Sequence, residues 1–138
     1  MSASGAPDAV ILIGLQGAGK TSFYNERWSG THAHISLDVA GTRDRERRLM
    51  DEAIGQRRPF VVDNTNLLRR DRAEYIKIAK AAGYRVTGYY FKPNIRVSIG
   101  RNNHRTDKKP VAVPAILAAM KRLEPPDANE GFDELIEI

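Results

Sequence analysis

The sequence predicts an α/β fold in which a five-stranded parallel sheet carries helices on both faces. Short apolar runs, typical of strands buried on both sides, alternate with segments of helical length, and this alternation indicates parallel strands joined by right-handed crossovers. Polar motifs follow three of the strands, at the edge where parallel sheets bind ligands. The 138 residues suffice for one domain, residues 1–138, of which the small and polar residues 1–7 are expected to be disordered.

The first two predicted strands flank a glycine-rich turn. Ala9–Ile13 is a continuous apolar run that predicts a buried strand, and Lys20–Trp28 predicts the short helix that follows the turn. Ile35 and Leu37 alternate with polar neighbours, which predicts a second strand that ends at Asp38.

A helix and a third strand come next. Apolar residues at helical spacing predict a helix over Thr42–Ile54, and Gly55 is expected to stop it. Pro59–Val62 then predicts a strand that ends at Asp63. The polar residues after these strands therefore fall where a site in a parallel sheet is expected.

The second half of the chain continues the alternation. Asn66 is the predicted cap of the next helix, and Gly83 lies just past its end, where a left-handed residue is favoured. The apolar residues on the inner face of this helix are Leu68, Tyr75, Ile76 and Ala79. The remaining predicted elements are a strand over Tyr84–Phe91, helices over Asn94–Arg105 and Ala115–Leu123, and a last strand over Phe132–Ile138.

The turn after the first strand has the pattern G-x-x-x-x-G-K-[ST] of a phosphate-binding loop, or P-loop. Its glycines let backbone N–H groups converge on a phosphate, Lys20 places a cation on the β- and γ-phosphates, and Thr21 offers a hydroxyl to Mg²⁺. The buried strand before it and the helix after it are the context that this motif requires. The sequence therefore predicts a three-layer P-loop NTPase fold. The residues predicted to bind the nucleotide are Gly14, Gln16, Gly17, Ala18, Gly19, Lys20, Thr21 and Ser22.

Two absences narrow the reaction that such a site would support. The sequence has no Asn-Lys-x-Asp segment to read guanine, which disfavours a GTPase. Asp63 is followed by Asn64 and not by a glutamate that activates water, which disfavours an assembly-type ATPase. A small phosphotransferase remains, in which the acceptor supplies the nucleophile.

A phosphotransferase needs a base at the acceptor and a cation over the transferred phosphoryl group. Asp38, at a predicted strand end, is the candidate base, and the same position also suits the cap of the next helix. Arg101 and Arg105 lie four residues apart, so a helix would place both on one face, either as part of a basic lid or as a solvated surface. His32 and His34 could share a strand face, but no third ligand is near them, so a metal site is not expected there.

Charge and composition limit the classes of partner that can be expected. Lys and Arg number 22 and Asp and Glu 17, which gives a formal net charge of +5. A basic surface attracts nucleic acid and nucleotide phosphates. The same net charge is equally explained by arginines that are simply solvated at the surface. The chain has no cysteine, which fits a reducing cytoplasm. The early apolar run Ala9–Ile13 is too short to cross a membrane, so no membrane association is expected.

The chain resembles the P-loop kinase domain of the polynucleotide 5′-hydroxyl kinase family, which includes the kinase half of end-healing enzymes, and the small stand-alone bacterial AAA-type ATP-binding proteins grouped with it. The resemblance spans most of the chain and follows the order of the family's motifs. The matching segments are Gly14–Ser22, Ser36–Asp38, Val61–Asn66, Arg101–Arg105, Val113–Pro114 and Asn129–Phe132.

The resemblance implies a role for each of these positions. Asp38 would take the proton from a 5′-hydroxyl, and Asp63 would lie near the nucleotide and Mg²⁺ beside Thr21, bound to the metal directly or through water. A lid arginine, best matched by Arg105 with Arg101 one turn before it, would contact the donor phosphates. The implied catalytic residues are thus Lys20, Asp38, Arg101 and Arg105.

Two positions depart from the family pattern. Leu37 stands where several polynucleotide kinases have arginine, and Gly41 stands where one branch has an arginine that grips the acceptor phosphate. Arg43, Arg45 and Arg47 are the candidates to replace that arginine. The departures bear on the identity of the acceptor more than on the reaction.

The expected activity is transfer of the γ-phosphoryl of ATP, with Mg²⁺, to a hydroxyl, and the favoured acceptor is the 5′ end of DNA or RNA. Only residues 39–59, which number 21, separate Asp38 from the strand at Phe60, so one helix is expected there and the cleft would stay open to a polymer end. The alternatives are a kinase of a small molecule or modified base and a nucleotide-binding module without an acceptor.

Overall fold

The structure, a computed structural model, describes residues 5–94 and 113–138. Five strands form one sheet in the order β2-β3-β1-β4-β5, and every neighbouring pair is parallel. The predicted five-stranded parallel sheet is therefore confirmed. The strands are β1 (Asp8–Ile13), β2 (Ala33–Ile35), β3 (Phe60–Asp63), β4 (Arg85–Tyr90) and β5 (Glu134–Glu137).

Helices connect the strands and lie on both faces of the sheet. Gly83, just past the end of the fourth helix, has φ 83°, as its position in the sequence predicts. The predicted helix that begins at Asn94 falls on residues that the structure does not describe, apart from Asn94 itself. Within the described residues the helices are α1 (Lys20–Arg27), α2 (Leu37–Ala40), α3 (Arg43–Gly55), α4 (Arg69–Ala81) and α5 (Val113–Arg122), with a 3₁₀ turn at Ala128–Glu130.

The central strand β1 is buried on both faces because its apolar side chains alternate between two clusters. On one face Ile11 packs in a cluster with Met50 of α3 and Ile76 of α4. On the other face Leu12 packs with Tyr24 of α1. Burial of an aliphatic side chain of this size stabilises the fold by about 1.5–3 kcal/mol. The helices thus cover both faces of the sheet and leave its carboxyl edge to the loops.

Strand β2 ends earlier than the sequence predicts. It stops at Ile35, and Asp38 lies in the first turn of α2 and not at the end of a strand. The backbone N–H of Leu37 donates a hydrogen bond to Oδ1 of Asn64 at 2.9 Å. The predicted end of the strand at Asp38 was wrong because this tertiary hydrogen bond turns the chain, whereas the alternation of apolar residues favours its extension.

Two predicted helix boundaries also differ in detail. Asn66 does not cap the next helix, which begins at Arg69. Asn66 instead adopts a left-handed φ of 50°, and its Nδ2 donates to the carbonyl of Leu12 at 2.7 Å, which ties β1 to the loop after β3. Asparagine tolerates this conformation better than most residues. Helix α3 ends at Gly55 as predicted, but the left-handed residue is Arg57, with φ 54°.

A buried ion pair fixes the loop after β3. The Arg72 guanidinium, on α4, donates to both carboxylate oxygens of Glu130 at 2.8 and 3.0 Å. It also donates to the carbonyls of Asn66 at 2.9 Å and Leu67 at 3.1 Å. The side chains of Arg72 and Glu130 are 0% and 6% exposed. The pair therefore joins α4, the 3₁₀ turn and the loop that leads from β3.

The amino-terminal segment joins the sheet before β1 begins. The backbone N–H of Arg85 donates to the carbonyl of Pro7 at 2.9 Å. Residues 1–4, part of the segment expected to be disordered, lie outside the described ranges. In the part of the chain that the structure describes, no helix has both the length and the apolar character needed to cross a membrane.

Candidate active site

The P-loop, Gly14–Thr21, connects the end of β1 to the start of α1. Gly17 and Gly19 have φ 78° and 93°, a region that side chains with a Cβ rarely adopt. Gly14 allows a close approach of strands, since a Cβ there would lie 2.8 Å from the Cβ of Phe91. The N–H of Gly14 donates to the carbonyl of Thr65 at 3.0 Å, which anchors the loop to the segment after β3. The backbone conformation or the packing of the loop therefore explains why each of these three positions is glycine.

The side chain of Lys20 reaches back to the start of this loop. Its Nζ donates to the carbonyls of Gly14 at 2.8 Å and Leu15 at 2.7 Å, and the residue is only 8% exposed. Burial lowers the pKa of Lys20 to about 8, and the negative charges of Asp63 and Asp38 oppose that shift. The loop thus holds a cation at the amino end of α1. That end of a helix itself favours anions, so both features attract a phosphate.

Asp63, at the end of β3, joins two side chains from other elements. Its Oδ2 accepts a hydrogen bond from Thr21 Oγ1 at 2.8 Å and lies 2.8 Å from Nε2 of His34. Burial alone would raise the pKa of Asp63, but the hydrogen bonds from His34 and Thr21 and the charge of Lys20 hold it below its usual value. The carboxylate is therefore ionised, so Nε2 of His34 must be the donor, because an ionised carboxylate only accepts.

His34 is a site residue whose role the sequence did not indicate. Its ring stacks on that of Tyr24 with centroids 4.1 Å apart and an interplanar angle of 17°. The stacked ring points its Nε2 at the Asp63 carboxylate. The sequence offered only the observation that His32 and His34 lie two positions apart and could share a strand face. No group of three or more potential metal-ligating side chains occurs within residues 5–94 and 113–138.

The oxygens of Thr21 and Asp63 suit magnesium. A hydroxyl and an ionised carboxylate stand 2.8 Å apart beside the P-loop, and Thr21 is exposed. Magnesium in nucleotide sites is held by one or two such oxygens, together with substrate phosphates and water. The residues present therefore fit a Mg²⁺ ion that would accompany a nucleotide. Thr21 and Asp63 would hold it, Asp63 either directly or through water.

Asp38 lies on the same side of the molecule, on α2. The residue is exposed, and the N–H of its neighbour Leu37 donates to Asn64, which directly follows Asp63, so α2 begins beside the end of β3. The negative charge of Asp38 also raises the pKa of Lys20 against the effect of burial. The structure thus brings Asp38 and Asp63 to one site although they lie 25 positions apart in the sequence (63 minus 38). One carboxylate is buried against the P-loop hydroxyl, whereas the other faces solvent.

A polar cluster that the sequence did not predict supports α2. Asn64 accepts from the Leu37 N–H and donates from Nδ2 to Oε2 of Glu46 at 2.8 Å. Tyr75 OH donates to Oε1 of Glu46 at 2.6 Å. Glu46 is only 4% exposed. We call Glu46, Asn64 and Tyr75 the polar cluster. Tyr75 was expected on the inner face of its helix, but no local pattern indicates that it meets Glu46 and Asn64.

The arginines of α3 have different surroundings. Arg47 is paired with Asp51 at 3.1 Å and Glu74 at 3.5 Å. Nη1 of Arg43 lies 3.2 Å from Tyr75 OH, at the edge of the polar cluster. Arg45 and Arg48 are exposed.

Gly41, which stands where one branch of the resembled kinase family has arginine, follows α2 with φ 86°. A side chain is strained at that φ, so the glycine serves the backbone of α2. Arg101 and Arg105, the predicted lid arginines, lie outside the residues that the structure describes.

Comparison with known proteins places this site in a wider group. A curated relative, "Transcription factor bHLH140" of Arabidopsis thaliana, is 25% identical over 140 residues, which cover 92% of this chain. The chain spans only 15% of the length of that relative.

Solved structures share the fold. A gluconokinase from Sinorhizobium meliloti 1021 aligns with a TM-score of 0.66 at 20% identity, over 96% of this chain and 82% of that one. Kti12 from Chaetomium thermophilum, in complex with ADP-AlF3, aligns with a TM-score of 0.68 at 16% identity, over 94% and 88%. The APS kinase CysC of Mycobacterium tuberculosis, in complex with AMPPNP and APS, aligns with a TM-score of 0.59 at 17% identity, over 96% and 88%.

A family model described as an AAA domain matches residues 27–126. The match begins after the P-loop, whose assignment rests on the geometry described above. Because the model covers more than half of the chain, the chain belongs to this AAA domain family, and it shares its P-loop fold with the kinases above.

Proposed function

We propose that this protein is an ATP-dependent phosphotransferase that moves the γ-phosphoryl group to a hydroxyl. The observation that carries the proposal is the pairing of two unlike carboxylates around Lys20. Asp63 is buried and bonded to Thr21 at 2.8 Å, whereas Asp38 is exposed and its charge still reaches Lys20. The first arrangement suits a nucleotide with its metal, and the second suits an acceptor that arrives from solvent.

The proposed chemistry assigns one task to each group. The acceptor hydroxyl gives its proton to Asp38 as its oxygen bonds to the γ-phosphorus, and the bond from that phosphorus to the leaving ADP oxygen breaks. Lys20 offsets the negative charge on the β- and γ-phosphates. Magnesium, when bound, supplies further positive charge at those phosphates. Arg105, or Arg101 before it, contributes the cation over the transferred group.

We propose the 5′-hydroxyl end of DNA or RNA as the acceptor. Besides the resemblance in motif order, the segment between β2 and β3 supports this choice, because in the described chain it contains two helices, α2 and α3, and no additional lobe. Arg45 and Arg48 are exposed on α3, where they are available to a phosphate backbone. Arg43 is the candidate to replace the arginine missing at Gly41, since it alone contacts the polar cluster below α2.

A small molecule is the second candidate acceptor. The gluconokinase and the APS kinase have the same fold as this chain, so a P-loop kinase of this size and shape is compatible with small acceptors. A nucleotide-binding module without an acceptor is the third possibility. These candidates differ in where the phosphoryl group goes, so one experiment separates them.

The test uses γ-labelled ATP with a 5′-hydroxyl oligonucleotide, a mononucleoside and gluconate as acceptors. Label on the oligonucleotide, with transfer that falls steeply as salt is added, supports the polynucleotide acceptor, because several phosphate contacts release counterions. Label on the small acceptors, or turnover that is insensitive to salt, moves the assignment to a small-molecule kinase. Nucleotide binding without transfer to any acceptor contradicts the proposed reaction.

A further inference from the structure

Helix α2, which carries Asp38, is too short to hold its own position. It has four residues, and Gly41 follows it in a left-handed conformation. Within the described part of the chain, the Ser36 side chain at the cap position accepts no hydrogen bond from the first turn. A single turn of helix is not stable without tertiary contacts. The position of Asp38 must therefore be set from outside α2.

The hydrogen bond from the Leu37 N–H to Asn64 is one such contact, and it lies directly beside Asp38 in the chain. It joins the first residue of α2, one position before Asp38, to the residue that follows β3. The N–H groups in the first turn of a helix have no partner within the helix. The oxygen of Asn64 supplies one, and it does so from the end of β3, which is paired with a strand on each side.

Glu46 decides which way the Asn64 amide faces. An ionised carboxylate only accepts hydrogen bonds, so the Asn64 atom 2.8 Å from Glu46 Oε2 must be Nδ2. The Asn64 oxygen is then left to face Leu37. Glu46 is itself fixed by Tyr75 OH at 2.6 Å, and Arg43 lies 3.5 Å from the same carboxylate. The order of dependence therefore runs from Glu46 to Asn64, to Leu37 and to Asp38.

We propose that Asn64 and Glu46 are positioning residues that place the Asp38 carboxylate for the acceptor. The inference rests on the proposed function, in which Asp38 is the base. Among the described residues, the hydrogen-bond and ion-pair partners of these two side chains lie outside the P-loop, so both side chains are expected to act on the acceptor step and not on nucleotide binding. A misplacement of the base by about 1 Å is enough to lower a rate by roughly a hundredfold.

An exchange of donor and acceptor between the two side chains tests the proposal. Asn64→Asp keeps an oxygen for Leu37 but places a carboxylate against Glu46, and the repulsion is expected to lower kcat by tenfold or more. Glu46→Gln alone leaves the Asn64 amide without its fixed orientation and is expected to lower kcat less. The double variant restores one charge and one donor, since Gln at position 46 donates to Asp at position 64. Its kcat is expected to return to within about threefold of the wild-type value.

The control separates positioning from general loss of stability. Tyr84→Phe removes a hydroxyl that donates to the carbonyls of Ala53 and Arg58, away from α2, so it is expected to lower stability with no change in kcat. The Kd for ATP should stay within about twofold in every variant. A double variant as slow as Asn64→Asp, or a loss of ATP affinity equal to the loss in kcat, overturns the proposal.

Amide hydrogen exchange provides a readout that does not depend on activity. Asn64→Ala should increase exchange at the Leu37 amide at least tenfold, whereas Asn64→Asp in the double variant should restore its protection. Unchanged exchange at Leu37 in Asn64→Ala overturns the proposal even if the enzyme is active. If wild-type protein transfers no phosphoryl group to any acceptor while the exchange result holds, the proposed function fails and the support of α2 by the polar cluster stands.

Discussion

The donor side and the acceptor side of the candidate site are built in different ways. The donor side, the P-loop with Asp63, is held mainly by backbone atoms, including the carbonyls that bind Lys20 and the bond from Gly14 to Thr65. The acceptor side, α2 with Asp38, is held through one backbone N–H and the side chains of the polar cluster. Substitutions on the acceptor side should therefore change catalysis while nucleotide binding persists, and the reverse separation is not expected.

The largest expected effect comes from Lys20→Ala on the donor side. Loss of the P-loop cation should reduce transfer by at least roughly a thousandfold, since one preorganised charge contact contributes about 10²–10³ and here nucleotide binding is weakened as well. The fold should survive, because Lys20 serves the ligand and not the apolar core. The measurement is turnover, with circular dichroism on the same sample. An unfolded variant, or one with near-native turnover, would contradict the donor-side assignment.

Asp38→Asn is the matching change on the acceptor side. Asparagine keeps the size of the side chain but cannot take a proton, so kcat should fall by about 10²–10⁴, the contribution of a general base. ATP affinity should stay within a few-fold, because Asp38 is exposed and its proposed role is at the acceptor and not at the nucleotide. Isothermal titration with ATP and steady-state kinetics measure the two quantities. Equal losses in affinity and turnover would show that the two sides are not separate.

The lid arginines are a third test of the comparison. Arg105→Ala should lower kcat by roughly tenfold or more and raise the KM for ATP less, because its contact strengthens as the phosphoryl group moves. Arg101→Ala serves as the paired variant. A severe effect of Arg101→Ala with a mild effect of Arg105→Ala would reverse the assignment of residues, and two mild effects would remove the lid from the mechanism.

Substitution of Arg72 tests whether the donor side and the acceptor side both depend on the loop after β3. Arg72→Met leaves Glu130 buried without its partner, so the free energy of unfolding should fall by about 3–5 kcal/mol, the usual cost of breaking a buried pair. Chemical denaturation measures this loss. Adding Glu130→Gln should recover part of it, since the uncompensated charge is gone. A loss below about 1 kcal/mol in the single variant would show that the loop is held by other contacts.

The same contrast explains what could be predicted from the sequence. The sheet and the P-loop are encoded in consecutive residues, as apolar runs, glycines and Lys20-Thr21, so local pattern identifies them. Asp38 was expected at a strand end and lies on a helix, because the hydrogen bond that turns the chain comes from Asn64, 27 positions away from Leu37. The roles of Asn64 and Asn66 were likewise missed because each amide bonds to a distant backbone group.

The smallest expected effect is a pH dependence confined to the donor side. Burial lowers the pKa of Lys20 from 10.5 to about 8, and bound phosphates, which favour the charged amine, should raise it again. ATP binding then takes up a proton above about pH 8, so affinity should fall roughly tenfold between pH 7 and pH 9. Stability without nucleotide should show the opposite trend between about pH 8 and 10.5, because the unfolded chain holds the Lys20 proton that the folded chain has lost, and the free energy of unfolding therefore rises with pH. Titration of ATP at pH 7, 8 and 9 measures the first trend.

Asp38→Asn should retain most of this profile, whereas Lys20→Ala should abolish it. A profile that persists in Lys20→Ala would assign the proton to a group outside the P-loop and would remove the electrostatic argument for the donor side.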